Sequence, residues 1–109
     1  RKELDLYDVP FLLGGLGDYL KDCKLSDNLK NYAHVNSALM QIANEEEKTG
    51  FVSAAGLTSN PDYLHFNAAS LHEFGIRYFN EYEKQKDPNK QFFEKQEQDF
   101  AVRTAMEQL

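Results

Sequence analysis

Val9-Pro10-Phe11-Leu12-Leu13-Gly14-Gly15-Leu16 decides the fold, because it is a compact apolar run that ends in glycines. The run is too short for a helix, and it lacks the alternation of polar and apolar residues that is typical of a strand with one solvated face. It therefore predicts a strand that is buried on both faces, as strands are inside a parallel sheet. Phe51-Val52-Ser53-Ala54-Ala55 predicts a second short buried strand.

A polar connection (residues 17–24) and a helix are predicted between the two strands. Ser26 or Asp27 can cap this helix, which should run to about Lys48, and Thr49-Gly50 is expected to close it with a glycine C-cap. Its apolar positions recur at spacings of three and four residues. They are Leu29, Tyr32, Val35, Leu39 and Ile42.

A second helix is predicted after a loop that extends from Gly56 to Phe66. Asn67 can cap it, and Ser70 with Glu73 has the spacing of an alternative capping box. Its expected apolar face consists of Leu71, Phe74, Tyr78 and Tyr82, with Phe79 alongside. The order strand, helix, strand, helix indicates a right-handed parallel crossover and an α/β fold.

The chain changes character beyond Lys86, where Asp87-Pro88-Asn89 breaks the helix. Residues 90–109 are polar and charged, with interspersed apolar residues that predict a last amphipathic helix. We therefore expect residues 1–86 to belong to an α/β domain and residues 87–109 to form a C-terminal helical extension. The whole chain would then hold about two parallel strands and three helices.

Two parallel strands make a poor domain by themselves, because each leaves an unpaired edge and little area is buried. At 109 residues the chain has room for one domain or part of one. It also begins without an initiator Met, which favours a fragment of a longer product. The missing strands are expected to come from the N-terminal remainder of the same domain or from a homo-oligomer.

The chain has a net charge of −6, and its 12 basic residues are scattered among 18 acidic ones. Both features argue against nucleic acid as a partner. An anionic membrane surface is disfavoured for the same reason, and no apolar run is long enough for a membrane span or a signal peptide. Cys23 is the single cysteine, so it forms no intrachain disulfide. The compartment stays open, with the cytoplasm slightly favoured.

Asp62 and His65 are the candidate catalytic residues, on the loop that follows the second predicted strand. Loops at the carboxyl ends of parallel strands collect functional residues. A carboxylate three residues from an imidazole can hold Nδ1 and leave Nε2 free to take a proton. The alternative is an Asn60-Pro61-Asp62 turn beside a surface or helix-capping histidine. No spacing of His or Cys supports a metal site, and no cofactor is expected.

Five blocks come in the order seen in one enzyme family. They are residues 9–17, residues 32–36, residues 51–58, Asp62-Tyr63-Leu64-His65-Phe66 and Gly75-Ile76-Arg77-Tyr78. Together they resemble the C-terminal part of an SGNH-type (GDSL-like) carbohydrate esterase, a group that includes sialate O-acetylesterases and acetylxylan esterases. The resemblance implies a three-layer α/β/α flavodoxin-like fold, an acetylated carbohydrate as substrate, and Asp62 and His65 as acid and base of a serine triad.

The chain departs from that family because it lacks the Gly-Asp-Ser or Gly-Gln-Ser block that carries the nucleophile, and the oxyanion-hole residues. None of its serines lies in a glycine-flanked turn between a strand and a helix; they are Ser26, Ser37, Ser53, Ser59 and Ser70. The first hypothesis is therefore a carbohydrate O-acetylesterase to which this chain supplies Asp62 and His65 but not the serine, so that the isolated chain is inactive. The second is a non-catalytic remnant or accessory module that self-associates.

Overall fold

The computed structural model describes residues 1–86, and these residues form a small α/β fold. The elements in chain order are strand β1 (Phe11–Gly14), two short 3₁₀ helices (Asp18–Asp22 and Asp27–Asn31), helix α1 (Tyr32–Glu45), strand β2 (Thr49–Val52) and helix α2 (Ala68–Lys86). The prediction of two parallel strands, each followed by a helix, is confirmed. The third predicted helix falls within residues 87–109 and lies outside the described residues.

The two strands pair in parallel along their whole length, with Phe11 opposite Thr49 and Gly14 opposite Val52. Alternate residues of a strand point to opposite faces of the sheet, so Gly14 and Gly50 share one face. That face is covered by α2, because a Cβ at Gly14 would overlap the Tyr78 hydroxyl and a Cβ at Gly50 would overlap the Glu81 side chain. The strand glycines therefore let α2 lie close to the sheet.

The predicted end of the first helix is wrong, because Thr49 and Gly50 are residues of β2. Helix α1 ends at Glu45, and the N–H of Glu46 donates to the Ile42 carbonyl at 3.0 Å. Lys48, with φ of 49°, then turns the chain into the strand. A left-handed turn was expected at this point, but a lysine makes it and the nearby glycine serves close packing instead.

The predicted apolar face of α1 is also wrong in part. Ser26 does act as a cap, since its hydroxyl accepts the Asn28 N–H at 3.2 Å, but it caps the 3₁₀ helix that leads into α1. The most buried residues of α1 are Ser37 and Ala43, whereas Val35 and Ile42 are 44% and 47% exposed. Small residues let α1 approach β2, which leaves the larger side chains on a neighbouring, uncovered face.

Helix α2 begins as predicted after Asn67, whose Oδ1 accepts the Ser70 N–H at 2.9 Å. The alternative capping box does not form, because the Ser70 hydroxyl accepts the Thr58 N–H at 2.8 Å instead. Only part of its predicted apolar face is covered: Phe74 is buried, but Leu71 and Phe79 are more than half exposed. The core that α2 closes consists of Val52, Ala54, Leu57 and Phe74, with Leu12, Phe66 and Tyr78 packed against it.

Large apolar side chains remain uncovered on both helices of the described region. Each strand also has one edge without a partner strand among residues 1–86. Burial of such surface is the main favourable term in folding, so this pattern is typical of a surface that packs against further protein. Within the described part of the chain, no helix has the length and apolar character that crossing a membrane requires.

Candidate active site

The candidate site is a closed turn on the loop that joins β2 to α2. Ser59 and Phe66 form an isolated antiparallel bridge at its base. The N–H of Asn60 donates to the His65 carbonyl at 2.8 Å, and the N–H of Tyr63 donates to the Asn60 carbonyl at 3.1 Å. Tyr63 has a φ of 54°, in the left-handed region that a non-glycine residue rarely adopts. These contacts fix the positions of Asp62 and His65 relative to each other.

Asp62 accepts three hydrogen bonds through its carboxylate. Oδ2 lies 2.6 Å from His65 Nδ1, while Oδ1 accepts the N–H of Leu64 at 2.9 Å and the N–H of His65 at 3.1 Å. The bond to the His65 ring, followed by the two backbone N–H groups, lowers the pKa of Asp62 to about 2. Asp62 is therefore a carboxylate throughout the neutral range.

His65 is held at one ring nitrogen and free at the other. Because Asp62 is ionised, the Nδ1 that faces it carries the proton and donates to it, which leaves Nε2 as the acceptor. The side chain of His65 is 72% exposed, and Nε2 makes no hydrogen bond within residues 1–86. The structure thus brings together the two residues that the sequence singles out, in the arrangement that a general base requires.

Tyr19 supports the site loop from the segment that follows β1. Its hydroxyl donates to the Leu64 carbonyl at 3.2 Å, and its ring meets the edge of Phe66 at 5.5 Å between centroids. Burial, and then the negative charge of Asp62, raises the pKa of Tyr19. No local pattern identifies Tyr19 from the sequence, because it lies in a predicted polar connection and the loop that it contacts is more than 40 residues away.

A second set of contacts anchors the two ends of the loop. At its start Arg77 Nη1 donates to the carbonyls of Ser53 and Ala55, at 2.9 Å each. At its end the amide of Asn67 donates to the Thr58 hydroxyl at 2.6 Å. The segment that leads into the loop is therefore attached to α2 through Arg77, and the two ends of the loop are joined to each other around the Asp62–His65 pair.

No serine in the described part of the chain hydrogen-bonds to His65. The hydroxyls of Ser53 and Ser70 accept backbone N–H groups of Ala55 and Thr58, and Ser26 acts as a helix cap. Ser37 is buried in α1, and the backbone of Ser59 pairs with that of Phe66. The described residues thus hold an Asp62–His65 pair to which no serine hydroxyl of this region is hydrogen-bonded.

The described residues also contain no group of three or more His, Cys, Asp or Glu side chains that could hold a metal ion. His72 and Glu73 lie on α2, where Glu73 accepts a hydrogen bond from Arg77 Nε at 3.2 Å. What the loop can do chemically is therefore to accept a proton at His65 Nε2 and to stabilise the resulting imidazolium with Asp62.

Comparison with known protein families gave one informative match. The family model described as carbohydrate esterase, sialic acid-specific acetylesterase, matches residues 1–84. The matched range contains both strands, α1, the site loop and nearly all of α2. A comparison with curated proteins gave no match.

Proposed function

Since the chain belongs to the carbohydrate esterase family of sialic acid-specific acetylesterases, we propose that it supplies the acid and the base of a site that removes O-acetyl groups from sugars. His65 is the general base, and Asp62 is the carboxylate that orients it. The observation that supports these roles most directly is the 2.6 Å contact between Asp62 Oδ2 and His65 Nδ1. It holds the tautomer in which Nε2 accepts a proton.

In the proposed reaction a serine hydroxyl attacks the acetyl carbonyl carbon while His65 Nε2 takes the hydroxyl proton. The tetrahedral intermediate collapses, and His65 gives that proton to the departing sugar oxygen. Water then attacks the acetyl-enzyme with His65 again as base, which releases acetate and restores the serine. Asp62 stabilises the imidazolium at each step and remains ionised, in keeping with its lowered pKa.

The serine and the oxyanion hole are supplied, in this proposal, by protein outside this sequence. All five serines of the chain lie in the described region, and their contacts there serve caps, turns and packing. The proposed complete domain is a three-layer α/β/α flavodoxin-like sheet structure. The open strand edges and the exposed apolar side chains of α1 and α2 support it, because further strands and helices would cover them.

The same exposed surface supports a second candidate function, a non-catalytic module that self-associates. Val35 and Ile42 on α1 and Leu71 and Phe79 on α2 could be covered by a second copy of the chain as well as by other parts of one domain. Sedimentation of the isolated chain separates the two: a concentration-dependent dimer without esterase activity supports the module. A monomer that gains activity when mixed with the serine-bearing part of the domain supports the esterase.

The esterase proposal is tested by His65→Ala in the intact natural protein, with hydrolysis of an O-acetylated sugar as the assay. We expect kcat to fall by several orders of magnitude, as is usual for loss of a triad base. His72→Ala is the matched control, because His72 is an exposed histidine seven residues further along the chain. A His65→Ala enzyme with the same rate as the His72→Ala enzyme would show that the assignment is wrong.

A further inference from the structure

An open cleft of about 510 Å³ lies beside the site loop. Its volume is within the range of small-molecule sites, which is roughly 300 to 1,000 Å³. The walls come from the segment between β1 and α1 and from the site loop itself. They are formed by Lys21, Asp22, Cys23, Lys24, Asp27, Lys30 and Tyr63.

The cleft is lined by three lysines and two aspartates, which gives it a small positive excess on a chain whose net charge is −6. Lys30 is compensated by Asp27, at 3.8 Å. Lys21 and Lys24 form no ion pair with any residue of the described region. Two ammonium groups are therefore available to an anionic ligand, while Asp22 can accept hydrogen bonds from ligand hydroxyls.

The cleft borders the loop that carries the proposed catalytic pair. Tyr63, which lines it, stands between Asp62 and His65 in the chain, and its left-handed backbone holds its half-exposed side chain at this position. Cys23, which also lines the cleft, directs its Sγ to the Asp62 carbonyl at 3.7 Å. A ligand in the cleft would thus contact the residues that position His65.

We propose that this cleft binds the carboxylate of an acidic sugar, with Lys21 and Lys24 as the cations that recognise it, while the acetyl ester of the same sugar reaches His65. The inference rests on the proposed esterase function and adds to it the residues that distinguish an acidic sugar from a neutral one. Ammonium groups in a cleft beside the site loop attract a carboxylate before catalysis, and they contribute to substrate binding without entering the chemistry.

The test compares two substrates that differ only in this charge: an O-acetylated sialic acid and the methyl ester formed at its carboxyl group. In the intact natural protein, Lys21→Gln together with Lys24→Gln should raise KM for the acid about 10-fold, the effect of losing a charge-assisted contact. The kcat for the acid and both constants for the methyl ester should stay within about twofold. High salt should raise KM for the acid in the unmodified enzyme more than in the double variant.

Lys86→Gln is the control, because Lys86 is an exposed lysine at the far end of α2, about 27 Å of helix from Ala68. This variant should leave kcat and KM unchanged for both substrates. If the double variant changes KM equally for the acid and the methyl ester, or changes KM for neither, the cleft does not recognise the carboxylate. Failure of the esterase function has a different signature, since hydrolysis of both substrates would then be absent or would survive His65→Ala.

Binding of free sialic acid tests the cleft without catalysis. In an NMR titration we expect the double variant to bind the free acid about 10-fold more weakly than the unmodified protein does, with the methyl ester of sialic acid binding weakly to both. If the unmodified protein and the double variant bind the free acid equally, Lys21 and Lys24 do not recognise a carboxylate, whatever the esterase assay shows.

Discussion

The hydroxyl of Tyr19 donates a hydrogen bond to the carbonyl of Leu64, the residue directly before His65. The two residues lie 45 positions apart in the chain, so this bond joins the segment after β1 to the loop after β2. Since the Tyr19 ring also packs against the Phe66 ring, one side chain contacts the residues on both sides of His65. Tyr19 is thus a positioning residue for the proposed base.

Tyr19→Phe removes this donor and keeps the ring. A net hydrogen bond contributes about 0.5 to 1.5 kcal/mol, so we expect kcat for ester hydrolysis to fall about 2- to 10-fold with KM unchanged. Tyr7→Phe is the control, because the Tyr7 side chain is largely exposed. A kcat equal to that of the Tyr7→Phe enzyme would mean that the Tyr19–Leu64 bond does not position His65.

The Asp62 carboxyl should titrate at about pH 2 in carboxyl-detected NMR. Because the largest cause of the lowered pKa is the bond to His65, His65→Ala should move the pKa up toward 3.8, its ordinary value. A folded-state pKa below the unfolded one means that the contribution to stability is complete above about pH 4 and is lost as the pH falls toward 2. A pKa near 3.8 in the unmodified chain would contradict the described contact.

Gly14→Ala should destabilise the fold, because the added methyl group overlaps the Tyr78 hydroxyl and approaches the Phe74 ring. Overpacking of this kind costs about 1 to 3 kcal/mol in the free energy of unfolding. Tyr78→Phe in the same chain should restore part of the loss, since it removes the overlapping oxygen. Urea unfolding measures both variants.

Gly75→Ala is the matched control for that experiment. Gly75 lies inside α2, and nothing stands within 4 Å of the position that its Cβ would take. Alanine is the better helix former, so this variant should gain about 0.5 to 1 kcal/mol. If both glycine variants change the stability in the same direction, the close approach of α2 to β1 is not the cause of the Gly14 effect.

Asn67 has two separable roles at the start of α2. Its Oδ1 caps the helix through the Ser70 N–H, and its amide donates to the Thr58 hydroxyl. Asn67→Ala loses both and should cost about 0.5 to 2 kcal/mol in unfolding free energy. Asn67→Asp keeps the cap and loses the donor, so it should cost less in the same urea titration. An equal cost would show that the bond to Thr58 is the more important role.

Sequence patterns predicted the features that depend on local geometry. Asn67 was predicted as a cap because a helix N-terminus needs a short polar side chain, and Asp62 and His65 were paired because three residues of a turn can bring a carboxylate to an imidazole. Gly50 was misassigned because a glycine serves a C-cap and a close approach equally well. The sequence cannot distinguish these uses without knowing that Glu81 passes over this position.

The buried side of α1 and the place of Tyr19 in the candidate site both depend on residues that are distant in the chain, so the sequence does not predict them. The spacing of Val35 and Ile42 identifies one side of α1, but which side is buried depends on what packs there. Tyr19 belongs to the candidate site only because the parallel pairing of β1 and β2 places the segments that follow them at the same edge of the sheet. Neither relationship has a local signal in the chain.

The most direct test of the central claim is a double-mutant cycle of Asp62→Ala and His65→Ala in the intact natural protein, with kcat/KM on an O-acetylated sialic acid as the readout. Residues that act as one unit lose activity non-additively. We therefore predict that each single variant is severely impaired and that the double variant is no slower than His65→Ala alone. Independent, multiplicative losses, or a His65→Ala enzyme with normal activity, would contradict the account.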